Sequence, residues 1–339
     1  MRAEREPGIG SDPRRRTREL WTLAVSLALV AVGLRVSGPA AAGAPERGLF
    51  VIGAAGDIAG DHLPANNVHR GRFDDVADLA LSMGLDRFLM LGDGQHNFGE
   101  LEDYLAFYDP VFGRLNDIVA PVTGNHDYYE STNAEGYFRY FGAIAHPPLG
   151  YYSFDLGSWH LIAINSQLLH PPLPNNASWG EIYFGPGTPE YEAQMAWLRD
   201  DLERTRSTRI IAFWHHPRTS WTRPVWDLLH AHGADIVLNG HQHNYQRWAP
   251  MDPEGNPDPG GIRLFVVGTG GYYLDPIAFQ SGNGYDNGEG HVAVPPTFEF
   301  GQDDEFGLLR LTLRPRGYDF EFVSTSGKIL DSGYGIEVD

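Results

Sequence analysis

Five short strings along this 339-residue chain carry side chains that bind cations or move protons. They are Gly56-Asp57, Gly92-Asp93, Gly124-Asn125-His126-Asp127, His215-His216-Pro217 and Gly240-His241-Gln242-His243. The chain has no cysteine, which excludes disulfides and thiolate chemistry. Any metal must therefore be held by oxygen and imidazole nitrogen. His241 and His243 lie two apart, so on an extended segment both rings face one side. Glycine before aspartate lets the backbone turn sharply as a strand ends. The aspartate then projects from the carboxyl edge of the sheet, where open α/β sheets bind ligands. A single Gly-Asp pair is an ordinary turn; the repetition of ligand-type residues after apolar runs is what points to a pair of metal ions held for hydrolysis.

The elements that must position these residues are short and apolar. Residues 49–55, 87–91, 118–123, 210–214, 236–239 and 264–268 read as strands buried on both faces. Helical patterns over 73–83, 101–115, 189–205 and 224–232 separate several of them, the third opening on Pro189 at a position suited to a first helical turn. Residues 151–154 with 159–165, and 307–313 with 318–324, read as antiparallel hairpins. This is an α/β (α+β) pattern of two mixed β-sheets flanked by helices, with strand order not legible. Residues 168–187 and 272–300, rich in Gly, Pro, Asn and aromatics, read as long loops, the second facing substrate.

The ensemble resembles the calcineurin-like metallophosphoesterase superfamily, and within it the purple acid phosphatase branch, over roughly residues 48–270. Asp57, Asp93, Asn125, His215, His241 and His243 fill the family's ligand positions in order. The string from Gly240 to Arg247 resembles the branch's extended final motif, and Val267-Gly268-Thr269-Gly270-Gly271 its glycine-rich strand end. The resemblance implies a four-layer sandwich as one catalytic domain over residues 43–339. It also implies hydrolysis of a small phosphomonoester by in-line attack of a water shared by two metals, with His126 as proton or hydrogen-bond donor and His216 as assistant. Asp127 is expected only to fix the turn or His126.

Two departures matter. Ala59 stands where most of the superfamily has a histidine, and His96 stands where the acid phosphatases have a tyrosine. If Asp93 bridges, the first metal takes Asp57, Asp93, His96 and His243, and the second takes Asp93, Asn125, His215 and His241. The other reading of His96 is that it orients His126. Loss of the tyrosine implies loss of the purple tyrosinate–iron colour. It favours a divalent or mixed-valent pair of iron, manganese or zinc.

A net charge of −19 argues against a nucleic-acid or anionic-membrane partner. Arg14-Arg15-Arg16 and Arg18, the apolar stretch from Leu20 to Leu34, and the small residues Pro39 to Ala44 read as a signal peptide over residues 1–42 cleaved near Ala42. The expectation is an exported protein, touching a membrane only if that segment stays uncleaved. Asp61 and His62 read as loop decoration. His69, His146, His160, His170, His230, His232 and His291 read as structural or exposed, and Asn176-Ala177-Ser178 as a chance glycosylation sequon. The rival functions are a phosphodiesterase of the same superfamily and a secreted metal-binding protein without activity.

Overall fold

The computed structural model describes residues 48–61, 71–129, 131–171, 184–277 and 294–335, all within one compact unit, Glu46–Asp339. The signal-peptide span, His62, His69, the Asn176 sequon and His291 lie outside the described residues. A first sheet holds β1 (Phe50–Ala55), β2 (Arg87–Met90), β3 (Val119–Pro121), β11 (Gly307–Arg314), β12 (Gly317–Ser324) and β13 (Ile329–Gly335), ordered β13-β12-β11-β1-β2-β3. Strands β1, β2 and β3 run parallel, and β11 joins β1 antiparallel. The second sheet holds β4 (Tyr152–Leu156), β5 (Trp159–Ala163), β6 (Arg209–Trp214), β7 (Ile236–Asn239), β8 (Tyr245–Trp248), β9 (Arg263–Val267) and β10 (Phe298–Gln302), ordered β10-β8-β9-β7-β6-β5-β4. Its β5-β6-β7-β9 centre is parallel and its margins are antiparallel.

Side-chain alternation assigns the two faces of the second sheet. Ile211, Phe213, Ile236, Leu238, Phe265 and Val267 join the core shared with the first sheet. Their neighbours Ile210, Ala212, Trp214, Val237, Leu264 and Val266 pack with Met195, Leu198 and Leu202 of α4 (Pro189–Arg204) and with Val225, Trp226 and Leu229 of α5 (Arg223–Ala231). The result is two mixed sheets flanked by helices.

Several expectations needed correcting. The helical pattern over 73–83 forms α1 (Phe73–Ser82), whereas that over 101–115 breaks into α2 (Leu101–Asp103), a π-turn at Tyr104–Tyr108 and a 3₁₀ turn at Phe112–Leu115. Tyr104 and Tyr108 are buried there in a cluster with Tyr137, Tyr140 and Phe141, and ring packing sets the winding. Leu168 and Leu169 belong to a 3₁₀ turn, Ser166–Leu169, and the loop expected to run to residue 300 ends in β10. Strand β8, strand β13 and α3 (Glu135–Phe141) had no sequence counterpart.

Candidate metal centre

Every ligand-type string sits just beyond the carboxyl end of a parallel strand. Asp57, Asp93 and Asn125 follow β1, β2 and β3 of the first sheet; His215 follows β6, and His241 and His243 follow β7, of the second. The site therefore lies on the seam between the sheets. Three of these residues adopt positive φ: Asp57 (61°), Asp93 (45°) and His241 (67°). Left-handed backbone is costly for non-glycine residues and collects at functional sites. Here neighbouring loops hold it in place, with Asp57 N donating to Gly92 O, Ile58 N to Asp93 O and Tyr272 N to Asp57 O. Glycines make room. A Cβ on Gly124 would lie 2.0 Å from Asp93 Oδ1, and one on Gly240 or Gly268 would lie 2.9 Å from Asp57 Oδ2.

Two sets of donor atoms converge. In one, Asp57 Oδ1 lies 3.2 Å from His243 Nε2 and 4.0 Å from His96 Nε2, and the two imidazole nitrogens are 3.0 Å apart. In the other, His215 Nε2 lies 3.1 Å from both Asp93 Oδ2 and Asn125 Oδ1, with His241 Nδ1 3.0 Å from the same amide oxygen. Asp93 Oδ2 faces both sets, since it is also 3.7 Å from His96 Nε2. Its Oδ1 accepts from the backbone of His126 at 3.0 Å.

The chemistry of these contacts calls for a cation. His215 Nδ1 donates to Leu91 O at 2.8 Å and His243 Nδ1 to Tyr273 O at 3.2 Å. With Nδ1 so held, each ring directs Nε2 at the carboxylate and amide oxygens, where it can serve as a ligand atom once its proton is lost to a metal. Asp57 Oδ1 is buried and accepts no hydrogen bond. A buried convergence of carboxylate, amide and imidazole ligand atoms like this is satisfied by metal ions, so the residues fit a metal pair.

The buried carboxylates draw positive charge to the site: burial works against the charged His243 ring, and Asp57 still raises its pKa. Burial pulls the His215 imidazole down, but the Asp93 carboxylate outweighs it and lifts the pKa to about 9. Burial and the neighbouring imidazoles hold His96 well below the usual range, and burial and His215 bring His241 down to about 3. Burial works against the Asp93 charge, and the surrounding histidines still keep its carboxyl well below the usual value. His126 offers Nδ1 to Asn97 O at 2.7 Å and keeps Nε2 4.0 Å from Asp93 Oδ2. His216 is buried: Ser166 Oγ accepts from its backbone N–H at 3.2 Å and lies 2.9 Å from its Nδ1. Burial and then His241 hold it well below the usual imidazole value. Asp127 accepts from Gly124 N at 2.8 Å and from Tyr104 OH at 2.6 Å, so it fixes the turn.

Sequence reasoning missed the tyrosines that line the site. A column of rings runs Tyr129, His126, His96, Tyr272, with centroid separations of 4.3, 3.6 and 4.1 Å. Tyr273 packs 4.0 Å from His243. Burial pushes the Tyr272 phenol up to about 12 and that of Tyr273 further up. Their signal was faint: Tyr129 lies two residues beyond Gly-Asn-His-Asp, and Tyr272-Tyr273 directly follow the glycine-rich strand end. Of the other histidines, His146 stacks on Tyr152 and His160 lies in a clasp of carboxylates away from the metal-type residues.

Comparison with known proteins agrees with this geometry. The calcineurin-like phosphoesterase family matches residues 50–245. Purple acid phosphatase 21 of Arabidopsis thaliana is 25% identical over 211 residues, covering 55% of this chain and 44% of that protein. Acid phosphatase A of Cryphonectria parasitica is 26% identical over 217 residues, 56% of this chain and 39% of its own length. The chain thus spans less than half the length of these curated relatives. Among solved structures, a purple acid phosphatase from yellow lupin (Lupinus luteus) seeds superposes with a TM-score of 0.56 at 17% identity, covering 85% of this chain and 54% of that one. GAP50, the anchor in the inner membrane complex of Plasmodium, gives 0.58 at 15% identity over 86% and 90% of the two chains, a likeness of fold alone.

Proposed function

The chain belongs to the calcineurin-like phosphoesterase family, and from that premise we propose that it is an exported, dinuclear-metal phosphatase acting on small phosphomonoesters. The observation that carries the proposal is the buried convergence of ligand atoms, in which Asp57 Oδ1 goes without a hydrogen bond and Asp93 Oδ2 faces both sets of donors. Asp57, Asp93, His96 and His243 would hold one ion, and Asp93, Asn125, His215 and His241 the other. A pair of iron, manganese or zinc ions, divalent or mixed-valent, supplies when bound the charge that acidifies water and offsets charge on the phosphoryl group.

The protein's own residues do the rest. His126, with Nδ1 held by Asn97 O, presents Nε2 to the site as the proton or hydrogen-bond donor to the leaving alkoxide. The Ser166 hydroxyl fixes the neutral His216 ring with its proton on Nε2, a donor for a phosphoryl oxygen. His96 in place of a tyrosine removes the phenolate that the family places on iron at that position. Export rests on the basic and apolar pattern of residues 1–42. The net charge of −19 makes a nucleic acid an unsuitable partner.

The test is metal analysis of the purified protein, together with hydrolysis of phenyl phosphate and a phenyl diester with and without added manganese. Two metals per chain and metal-dependent monoester hydrolysis are expected. A preference for the diester moves the reading to a phosphodiesterase. No metal-dependent hydrolysis of either ester refutes an enzyme and leaves a secreted metal-binding protein.

A further inference from the structure

Asn125 offers one oxygen and one NH₂ group on a single amide, and only the oxygen can ligate a cation. Its Oδ1 lies between His215 Nε2 and His241 Nδ1, at 3.1 and 3.0 Å. The other end of the amide is held: Asn125 Nδ2 donates to Tyr129 OH at 2.7 Å. Residues 126–128 form a 3₁₀ turn, which returns the chain so that residues 125 and 129 face each other. The same tyrosine ring lies 4.3 Å from His126, so one side chain braces two consecutive residues of the site.

We propose that Tyr129 is a positioning residue of the metal pair: its hydroxyl locks the amide plane of Asn125, and through it the affinity of the second metal. The inference rests on Asn125 as a ligand in the function proposed above. A hydroxyl both donates and accepts, so Tyr129 fixes where the amide lies, and the cation's charge then decides that oxygen faces inward. Without that hydroxyl the NH₂ loses this partner, and the amide is free to swing its NH₂ toward the lone pairs of His215 and His241. In that orientation the amide itself competes with the ion. Partners that orient a ligand commonly account for about 10- to 100-fold in metal affinity.

The experiment is a two-site Mn²⁺ titration by calorimetry of chelator-stripped full-length protein, comparing wild type, Tyr129→Phe and Tyr129→Leu, with thermal melting of each. Tyr129→Phe keeps the ring against His126 and removes only the hydroxyl. The expected result is one site weakened about tenfold or more, with the other site unchanged. Tyr129→Leu should weaken the same site and also lower saturated turnover, because His126 loses its ring support. Equal affinities at both sites in Tyr129→Phe overturn the proposal, as does equal weakening of both, which signals general loosening. If wild type itself binds no pair of ions, it is the proposed function that fails.

Discussion

Gly124→Ala is the smallest change that should disable the metal centre while leaving the hydrophobic core untouched. An added Cβ would sit 2.0 Å from Asp93 Oδ1, 2.5 Å from Asp93 N and 2.6 Å from its Cγ. Reaching an ordinary contact of 3.4 Å requires the carboxylate oxygen to retreat about 1.4 Å. The backbone has little freedom to give, because Asp93 already holds φ at 45° and its carbonyl accepts from Ile58 N at 3.0 Å. The displaced carboxylate loses the His126 N–H bond and carries Oδ2 out of register with His215 and His96. Misplacement by about 1 Å costs on the order of 100-fold in rate, so kcat/KM for phenyl phosphate should fall at least that far. Overpacking strain of about 1–3 kcal/mol should lower the melting temperature without unfolding the protein at room temperature. Gly260→Ala, whose Cβ meets only Asp258 Oδ1 at 3.6 Å, is the control and should behave as wild type. Two tightly held metals and undiminished turnover in Gly124→Ala would refute the reasoning, since the carboxylate would then have room that the geometry denies it.

Three further outcomes follow from the same geometry. His96→Ala should bind one ion with normal affinity and the other weakly in metal titration; two normal sites would show that His96 only orients His126. Loaded with iron, the protein should lack the visible tyrosinate charge-transfer band, and a purple spectrum would place a phenolate on the metal after all. The third concerns His160, whose Nδ1 lies 2.7 Å from Asp155 and Nε2 2.8 Å from Asp201. Burial lowers its pKa, but the hydrogen bonds and charges of Asp201 and Asp155 outweigh that and raise it above the ordinary value. A raised histidine contributes its full stability below the unfolded-state pKa of about 6.5 and loses it as pH climbs through the folded value. The melting temperature of wild type relative to His160→Gln should therefore decline with rising pH across that window; a constant difference would remove the clasp's charge from the account.

Much of the site was legible because its residues sit where apolar runs end. Six candidate ligands could be read, Asp57, Asp93, Asn125, His215, His241 and His243, and the structure brings all six to one seam. Strands buried on both faces, such as β6 and β7, announce themselves by composition. Strand β8, Tyr-Gln-Arg-Trp, does not, because two adjacent polar residues break any apolar run or alternation in it. Nor does β13, an edge strand carrying two glycines. The left-handed backbone of Asp57, Asp93 and His241 was hidden for another reason: it is imposed by hydrogen bonds from distant loops. The ring column around His96 was likewise invisible, since Tyr129, His126 and Tyr272 come to it from widely separated stretches of the sequence.

The position of the metal centre on the seam also constrains the order of events in the protein's life. Apart from His96, the oxygen donors Asp57, Asp93 and Asn125 all come from the first sheet, and the imidazoles His215, His241 and His243 from the second. Neither sheet alone offers a complete coordination set. Under the proposed function, capture of the pair would report that the two sheets have docked, and the ions would act as rivets across them, stabilising the folded chain by about 2.7 kcal/mol per site at a hundredfold excess over Kd. A chain that crosses a membrane unfolded would collect its metals only on the far side.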